Sequence, residues 1–268
     1  GLPISNMILN GPKDELNLTE NTQPAIFLVS YCIYNMIKLK KENLLNNIKL
    51  YAGHSLGEYS ALAASNSIGF EEALKLLQIR GRSMQSALPK GQGGMIAVLG
   101  TDITNIKEIL NNGNKKYECF IANDNSIGQV VVSGKTNDIN LFAEDLKKAK
   151  IKNIKLQVSA PFHCKLMSPA TEIMKNEISK TDFKDSQKNI VTNVTAKEAF
   201  KAEEIKRLLI SQIESPVRWR ETILYMIEKG TMTFIEIGPG KVLSGMIKRI
   251  DKNVNIISIN EDEDLNKL

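Results

Sequence analysis

The sequence lacks several features that identify common classes of protein. No apolar run approaches the roughly 20 residues that a membrane-spanning helix requires, and no secretory signal pattern opens the chain. Its three cysteines, Cys32, Cys119 and Cys164, are an odd and scattered set without metal-type spacing. We therefore expect a cytoplasmic protein with reduced thiols, with no membrane partner and no bound metal.

The chain also lacks the pattern of a nucleic-acid-binding protein, although its net charge is +5. Its lysine runs at 38–49 and 147–155 contain no interleaved aromatic residues, and much of the lysine accompanies asparagine and isoleucine. A general residue bias explains this charge best. We expect no nucleic acid partner, whereas an acidic protein partner stays open.

The apolar pattern predicts an α/β chain of 268 residues with an inserted subdomain. Between 94 and 158 the predicted order is strand, helix, two paired strands, helix and strand, which matches a ferredoxin-like unit. The other predicted elements are helices over 24–40, 55–65, 70–88, 167–180 and 202–213, a helix after SPVRW (215–219), a loop and helix over 238–250, and strands near 47–53, 189–194, 232–238 and 253–260. We predict a large subdomain formed by 1–93 and 159–268, with 94–158 as the small subdomain.

A serine lies between two glycines in the segment LYAGHSLGEYSALAAS, residues 50–65. A predicted strand precedes it and a helix of small residues follows, as in a nucleophile elbow, where Gly53 and Gly57 would let the two backbones approach closely. Ser55 is the candidate nucleophile, at a helix N-terminus where the Leu56 N–H can donate to an oxyanion. A serine at an ordinary glycine-flanked turn is the alternative.

A serine nucleophile needs a base, and the chain contains two histidines, His54 and His163. The side chain of His54 should diverge from its neighbour Ser55. His163 follows a predicted strand and precedes a predicted helix, so it is the candidate base by elimination. No acidic third member stands out, and a backbone carbonyl can also orient an imidazole.

Arg80 lies 25 residues after Ser55, on the apolar face of the predicted helix 70–88, one turn before Met84. Burying an unpaired guanidinium costs several kcal/mol, so this side chain should have an anionic partner or reach solvent. The partner could be a protein carboxylate. It could also be a substrate carboxylate, which arginine binds through two parallel hydrogen bonds.

Several segments together resemble the malonyl-CoA:acyl carrier protein transacylase family, and the similarity runs essentially from end to end. They are NGPKDELNLTENTQPAIF, GHSLGEYSAL, the arginine of IRGRSMQ, VSAPFHCKLM and EIGPGKVLSGMIKRI. The resemblance implies an α/β-hydrolase-like large subdomain with an inserted ferredoxin-like small subdomain. It also implies transfer of a malonyl group from malonyl-CoA to the phosphopantetheine thiol of acyl carrier protein, through a malonyl-serine intermediate and without a cofactor, in fatty acid biosynthesis.

The resemblance also assigns roles to single residues. His163 would act first as base and then as acid, oriented by the main-chain carbonyl of Gln212, and Arg80 would hold the malonyl carboxylate. Phe162 would exclude a methyl branch, which favours malonyl over methylmalonyl groups. The predicted substrate-binding set also contains Leu56, Met84, Asn125 and Gln129, the last two in a stretch near the cleft between the subdomains of this family.

Members of this family begin with a strand and a Gly-Gln-Gly loop that supplies a second oxyanion donor, and this chain begins beyond them at Gly1. We expect a few dozen residues to precede Gly1 in such a protein, and weak or absent malonyl loading without them.

Three other functions remain open. A serine hydrolase or thioesterase acting on acyl-CoA would share Ser55 and His163, but it should carry a triad acid and has no need of Arg80. The second is a non-catalytic module that binds a carrier protein. The third is an acyltransferase domain of a polyketide-type synthase, although the end of the chain, NEDEDLNKL, has no linker composition and favours a discrete enzyme.

Overall fold

The computed structural model describes residues 3–112, 117–158 and 160–268. The described part contains nine strands, twelve α-helices and two short 3-10 helices at Lys165–Met167 and Asp262–Lys267. The helices are α1 (Ile4–Asn10), α2 (Lys13–Leu16), α3 (Thr19–Lys40), α4 (Glu42–Asn47), α5 (Gly57–Ala64), α6 (Phe70–Ser86), α7 (Ile103–Asn112), α8 (Thr136–Lys148), α9 (Ser168–Lys180), α10 (Ala202–Gln212), α11 (Trp219–Glu228) and α12 (Val242–Ile250). The strands are β1 (Leu50–Ala52), β2 (Gly93–Leu99), β3 (Cys119–Ser126), β4 (Gln129–Lys135), β5 (Lys152–Lys155), β6 (Asn189–Val191), β7 (Glu198–Ala199), β8 (Thr233–Ile237) and β9 (Asn255–Ile259).

The large subdomain has short strands covered by helices. Strand β1 pairs in parallel with β6, β6 pairs antiparallel with β7, and β8 pairs in parallel with β9. The main core lies between α3, α5, α6, α9 and α10 and includes the fully buried Phe27, Leu62, Leu77 and Ile190. The helix with small residues, α5, therefore packs directly behind β1, and its first turn lies at the carboxyl end of that strand.

The small subdomain is a four-stranded antiparallel sheet in the order β3-β4-β2-β5. Alternate residues of β2 point to opposite faces, as expected for a strand. Ile96 and Val98 join the core formed with α7 and α8, while Met95 and Ala97 join a second cluster that includes Phe162. This order and the two helices on one face make the unit ferredoxin-like, so the predicted fold class is confirmed. The residue limits of the division stay a prediction, and Ser159 lies outside the described residues.

Several elements differ in extent from the predicted ones. Helix α3 begins at Thr19, before the predicted residue 24, and contains Pro24. The side chains of Asn21 and Thr22 donate to carbonyls of the preceding turn, which ties the early start of this helix to α2. The last strand of the small subdomain, which the segment IKNIKLQVSA (151–160) predicts, ends at Lys155. The pattern did not predict α1, α2, α4 or β7.

Candidate active site

Ser55 lies on a sharp turn between β1 and α5, with a positive φ of 53°. A Cβ atom on Gly53 would lie 1.9 Å from the carbonyl oxygen of Gly57, so no other residue fits at position 53 without moving the backbone. A Cβ atom on Gly57 would meet nothing within 4 Å. The small residue that the turn needs is thus the glycine at position 53, whereas Gly57 contributes its main-chain carbonyl to the close approach.

Asn193 holds this turn from the side of β6. Its Oδ1 accepts from Ser55 N at 2.7 Å, and its Nδ2 donates to the Gly53 carbonyl at 2.7 Å. The N–H of Ser55 is thus already used. Among the described residues Leu56 N–H donates no hydrogen bond, so it is available to an oxyanion that forms on the substrate.

The imidazole of His163 joins Ser55 to the main chain of α10. Its Nε2 lies 2.8 Å from Ser55 Oγ, and its Nδ1 lies 2.9 Å from the carbonyl oxygen of Gln212. Because a carbonyl only accepts, Nδ1 carries the proton and Nε2 presents a lone pair to the serine hydroxyl. Burial, and then the charge of Arg80, lower the pKa of His163 to about 3. The imidazole is therefore neutral at pH 7, which is the form that a general base requires.

The guanidinium of Arg80 lies beside the nucleophile, and only 1% of this residue is exposed. It donates to Ser55 Oγ at 3.0 Å, to Gln212 Oε1 at 2.9 Å and to Gln23 Oε1 at 2.6 Å, while its Nε has no partner among the described residues. No carboxylate in the described part of the chain forms an ion pair with it. Burial lowers the pKa of Arg80. The sequence left three partners open for Arg80, namely solvent, a protein carboxylate and a substrate carboxylate. In the described part of the chain the guanidinium neither reaches solvent nor pairs directly with a carboxylate.

A carboxylate that sequence reasoning missed lies close by, on the first turn of α5. Glu58 is 1% exposed, and its Oε2 accepts from Asn193 N and from Gln212 Nε2, each at 2.9 Å. Burial raises the pKa of Glu58 to about 7, against the opposing effect of its hydrogen bonds and of Arg80. Its place three residues after Ser55, on the same helical turn, is a signal that could have found it.

The remaining predicted residues lie at different places around this centre. Phe162 packs between the main core and the cluster at the back of the small subdomain, and Met84 is buried with its Sδ 4.0 Å from Gln23 Nε2. Asn125 accepts from His54 Nε2 at 2.8 Å, so the neighbour of the nucleophile does diverge and contacts the small subdomain. These positions leave the roles of the three predicted residues as predictions.

Gln129 is placed differently. Its Oε1 accepts from Arg249 Nη1 at 3.1 Å at the surface, and this is a different set of partners from the hydrogen bonds that join Ser55, His163 and Arg80. In the same described part of the chain, no group of His, Cys, Asp or Glu residues is arranged to hold a metal ion. None of the described helices has the length and apolar character needed to cross a membrane.

The site combines a serine, an imidazole that a main-chain carbonyl orients, and a buried cation. On this fold, that combination defines a serine acyltransferase. A family model for the acyl transferase domain matches residues 1–260. The malonyl CoA-acyl carrier protein transacylases of Bacillus subtilis and Staphylococcus aureus are 38% and 40% identical, over 97% and 98% of this chain and 81% and 84% of their own length. The chain belongs to this transacylase family.

Solved structures agree with this assignment. An acyl-carrier-protein S-malonyltransferase from Bartonella henselae superimposes with a TM-score of 0.95 at 37% identity, over 98% of this chain and 84% of that one. A malonyl-transacylase solved in complex with the acyl carrier protein of a type II polyketide synthase gives a TM-score of 0.94 at 35% identity, over 98% and 85% of the two chains.

Proposed function

We propose that this chain transfers a malonyl group from malonyl-CoA to the phosphopantetheine thiol of acyl carrier protein, as a step of cytoplasmic fatty acid biosynthesis. The names of its relatives support the reaction. The observation that carries the proposal is the buried Arg80, which has no ion-pair partner in the described chain and lies 3.0 Å from the nucleophile. A hydrolase of neutral acyl thioesters has no use for such a cation, whereas a malonyl group ends in a carboxylate.

The first half of the reaction acylates the enzyme. Ser55 Oγ attacks the thioester carbon of malonyl-CoA while His163 Nε2 takes the hydroxyl proton. The N–H of Leu56 donates to the oxyanion of the tetrahedral intermediate. When the carbon–sulfur bond breaks, His163 returns its proton to the departing CoA sulfur, and malonyl-serine remains.

Arg80 gives this step its substrate preference. One of its Nη2 hydrogen bonds goes to Ser55 Oγ, and acylation converts that hydroxyl to an ester oxygen, which is a weaker acceptor. The guanidinium can then bond the malonyl carboxylate through two parallel contacts. A buried, charged pair of this kind distinguishes malonyl from acetyl groups by a charge-assisted interaction, and Phe162 would exclude a methyl branch.

The second half reverses the roles. His163 takes the proton of the carrier's phosphopantetheine thiol, the sulfur attacks the ester carbon, and the imidazolium protonates Ser55 as it leaves. We place the binding cleft between the large subdomain, residues 1–93 and 159–268, and the small subdomain, residues 94–158. Met84, Asn125 and Gln129 are proposed to line the approach of the substrate.

Intact-protein mass spectrometry after incubation with malonyl-CoA tests this function. We expect a malonyl adduct that Ser55→Ala abolishes and that holo acyl carrier protein removes, with malonyl appearing on the carrier. Arg80→Ala should shift the preference towards acetyl-CoA. Free malonate without an adduct or a loaded carrier would identify a hydrolase instead, and binding of the carrier without acylation would identify a non-catalytic module.

A further inference from the structure

One oxygen of Glu58 joins the two halves of the site. Its Oε2 accepts from the main-chain N–H of Asn193 and from the side-chain Nε2 of Gln212, both at 2.9 Å. Asn193 in turn holds the turn that carries Ser55. Gln212 holds Arg80 through its side chain and His163 through its main chain.

The carboxamide of Gln212 has one productive orientation. Its Nε2 faces three acceptors, Glu58 Oε2 at 2.9 Å, the Ser55 carbonyl at 3.1 Å and Asn193 Oδ1 at 3.2 Å. Its Oε1 therefore faces Arg80 Nη2 at 2.9 Å. The reverse orientation would point an NH₂ group at the guanidinium, donor against donor, and an oxygen at the carboxylate.

Of the three acceptors on the Nε2 side, Glu58 Oε2 is the nearest, at 2.9 Å. The same oxygen accepts from the main-chain N–H of Asn193, so its position is fixed from a second side. Glu58 and Arg80 are thus linked through the single carboxamide of Gln212.

We propose that Glu58 is a positioning residue, which keeps the Gln212 carboxamide turned towards Arg80 so that the guanidinium is held ready for the substrate carboxylate. This role rests on the proposed function. Loss of this positioning should weaken the reaction with malonyl groups and not that with acetyl groups, because an acetyl group has no carboxylate for Arg80 to bind. The effect of Glu58 on Asn193 and the turn would instead change the transfer of both acyl groups equally.

Two conservative variants separate the position of the acceptor from its charge. Glu58→Gln keeps an oxygen at the place of Oε2 and removes the charge. Glu58→Asp keeps the charge but draws the carboxylate back by one carbon–carbon bond, roughly 1.5 Å, beyond hydrogen-bond distance. Ser60→Ala, on the same helix, is the control, because the buried Ser60 Oγ has no partner among the described residues.

The readout is the ratio of kcat/KM for malonyl-CoA to that for acetyl-CoA, which does not depend on the fraction of folded protein. We expect Glu58→Asp to lower this ratio about tenfold or more, through a higher KM for malonyl-CoA, as a buried donor left without its acceptor implies. Glu58→Gln should keep the ratio within about threefold of the wild type, as should Ser60→Ala.

An unchanged ratio in Glu58→Asp would overturn the proposal. A loss in Glu58→Gln as large as that in Glu58→Asp would also overturn it, because charge and not the position of the acceptor would then matter. A wild-type chain that forms no malonyl adduct would contradict the proposed function itself, and this role with it. A working wild type with unchanged variants contradicts only the role of Glu58.

Discussion

The pH dependence of acylation depends on the protonation state of His163. Burial and Arg80 lower the pKa of this residue to about 3, so its Nε2 is free to accept a proton far below pH 7. The parameter kcat/KM reports the ionisation of the free enzyme. We predict that kcat/KM for acylation of Ser55 stays flat from about pH 8 to about pH 5.

The size of the effect separates this prediction clearly from ordinary histidine behaviour. With the usual pKa of 6.5, the neutral fraction of the imidazole would fall from about 0.9 at about pH 7.5 to about 0.1 at about pH 5.5. Acylation would then slow about tenfold over these two pH units. With a pKa near 3, the neutral fraction changes by less than about 1% over the same interval.

The assay mixes the protein rapidly with malonyl-CoA well below its KM, quenches in acid and measures the malonyl adduct by intact mass. The substrate carboxylate, with an ordinary pKa near 4, stays ionised throughout this pH range. Circular dichroism at each pH verifies that the chain stays folded. An inflection near pH 6.5 in the rate of adduct formation that persists in Glu58→Gln, and so does not come from the Glu58 carboxyl with its pKa of about 7, would refute the conclusion that His163 is buried as a neutral imidazole beside a cation.

Three further predictions follow from single contacts. Gly53→Ala should destabilise the chain by about 3 kcal/mol or more in urea unfolding, because its Cβ would lie 1.9 Å from a carbonyl oxygen. Gly57→Ala is the matched control and should change stability by less than about 1 kcal/mol. Equal losses in the two variants would contradict the geometry of the turn. Gln23→Leu removes one acceptor from Arg80 and should lower the malonyl-to-acetyl ratio of kcat/KM about tenfold. An unchanged ratio would show that Gln23 does not help to hold Arg80 in place. Glu58, with its pKa raised from 4.5 to about 7, binds more protons folded than unfolded between these values, so the folded state loses stability as the pH rises through this window. Urea unfolding should therefore favour Glu58→Gln over the wild type by about 1.4 kcal/mol more for each pH unit from 4.5 to 7, and a constant difference would contradict the raised pKa.

The sequence could predict those site residues whose function is visible in the neighbouring residues or in the residue type itself. Ser55 follows from the turn between a strand and a helix of small residues, and His163 follows because the chain contains just one other histidine. Arg80 stands out because it interrupts an apolar helical face. The role of Gln212 followed from the family resemblance alone, because every residue type has a main-chain carbonyl.

The supporting network could not be predicted in this way. Asn193 contacts Ser55 across 138 residues of chain, and Gln23 contacts Arg80 across 57. Such contacts depend on how the helices pack, and polar residues of this kind look locally like ordinary surface positions. Glu58 is close in sequence, but its bonds to Asn193 and Gln212 are equally long-range.

In the fold, too, the elements with a clear sequence pattern could be predicted, whereas the pairing of distant segments could not. The small subdomain was predictable because β2, β3 and β4 are seven or eight residues long, and because β2 and β4 carry short continuous runs of apolar residues between glycines. In the large subdomain β1 and β6 have three residues each, too few for a periodic signal. Their parallel pairing joins segments about 140 residues apart in the chain, which no local pattern can indicate.

Arg80 affects acyl transfer in two opposite ways. In the proposed reaction its charge binds the substrate carboxylate, but the same charge, 3.0 Å from Ser55 Oγ, disfavours the protonated His163 that must form when the serine attacks. A malonyl carboxylate bound to the guanidinium cancels this repulsion, so the imidazolium forms more easily once that substrate is in place. An acetyl group leaves the repulsion intact. Selectivity for malonyl should therefore appear in kcat as well as in KM, because the substrate's own charge restores the basicity of the residue that activates the nucleophile.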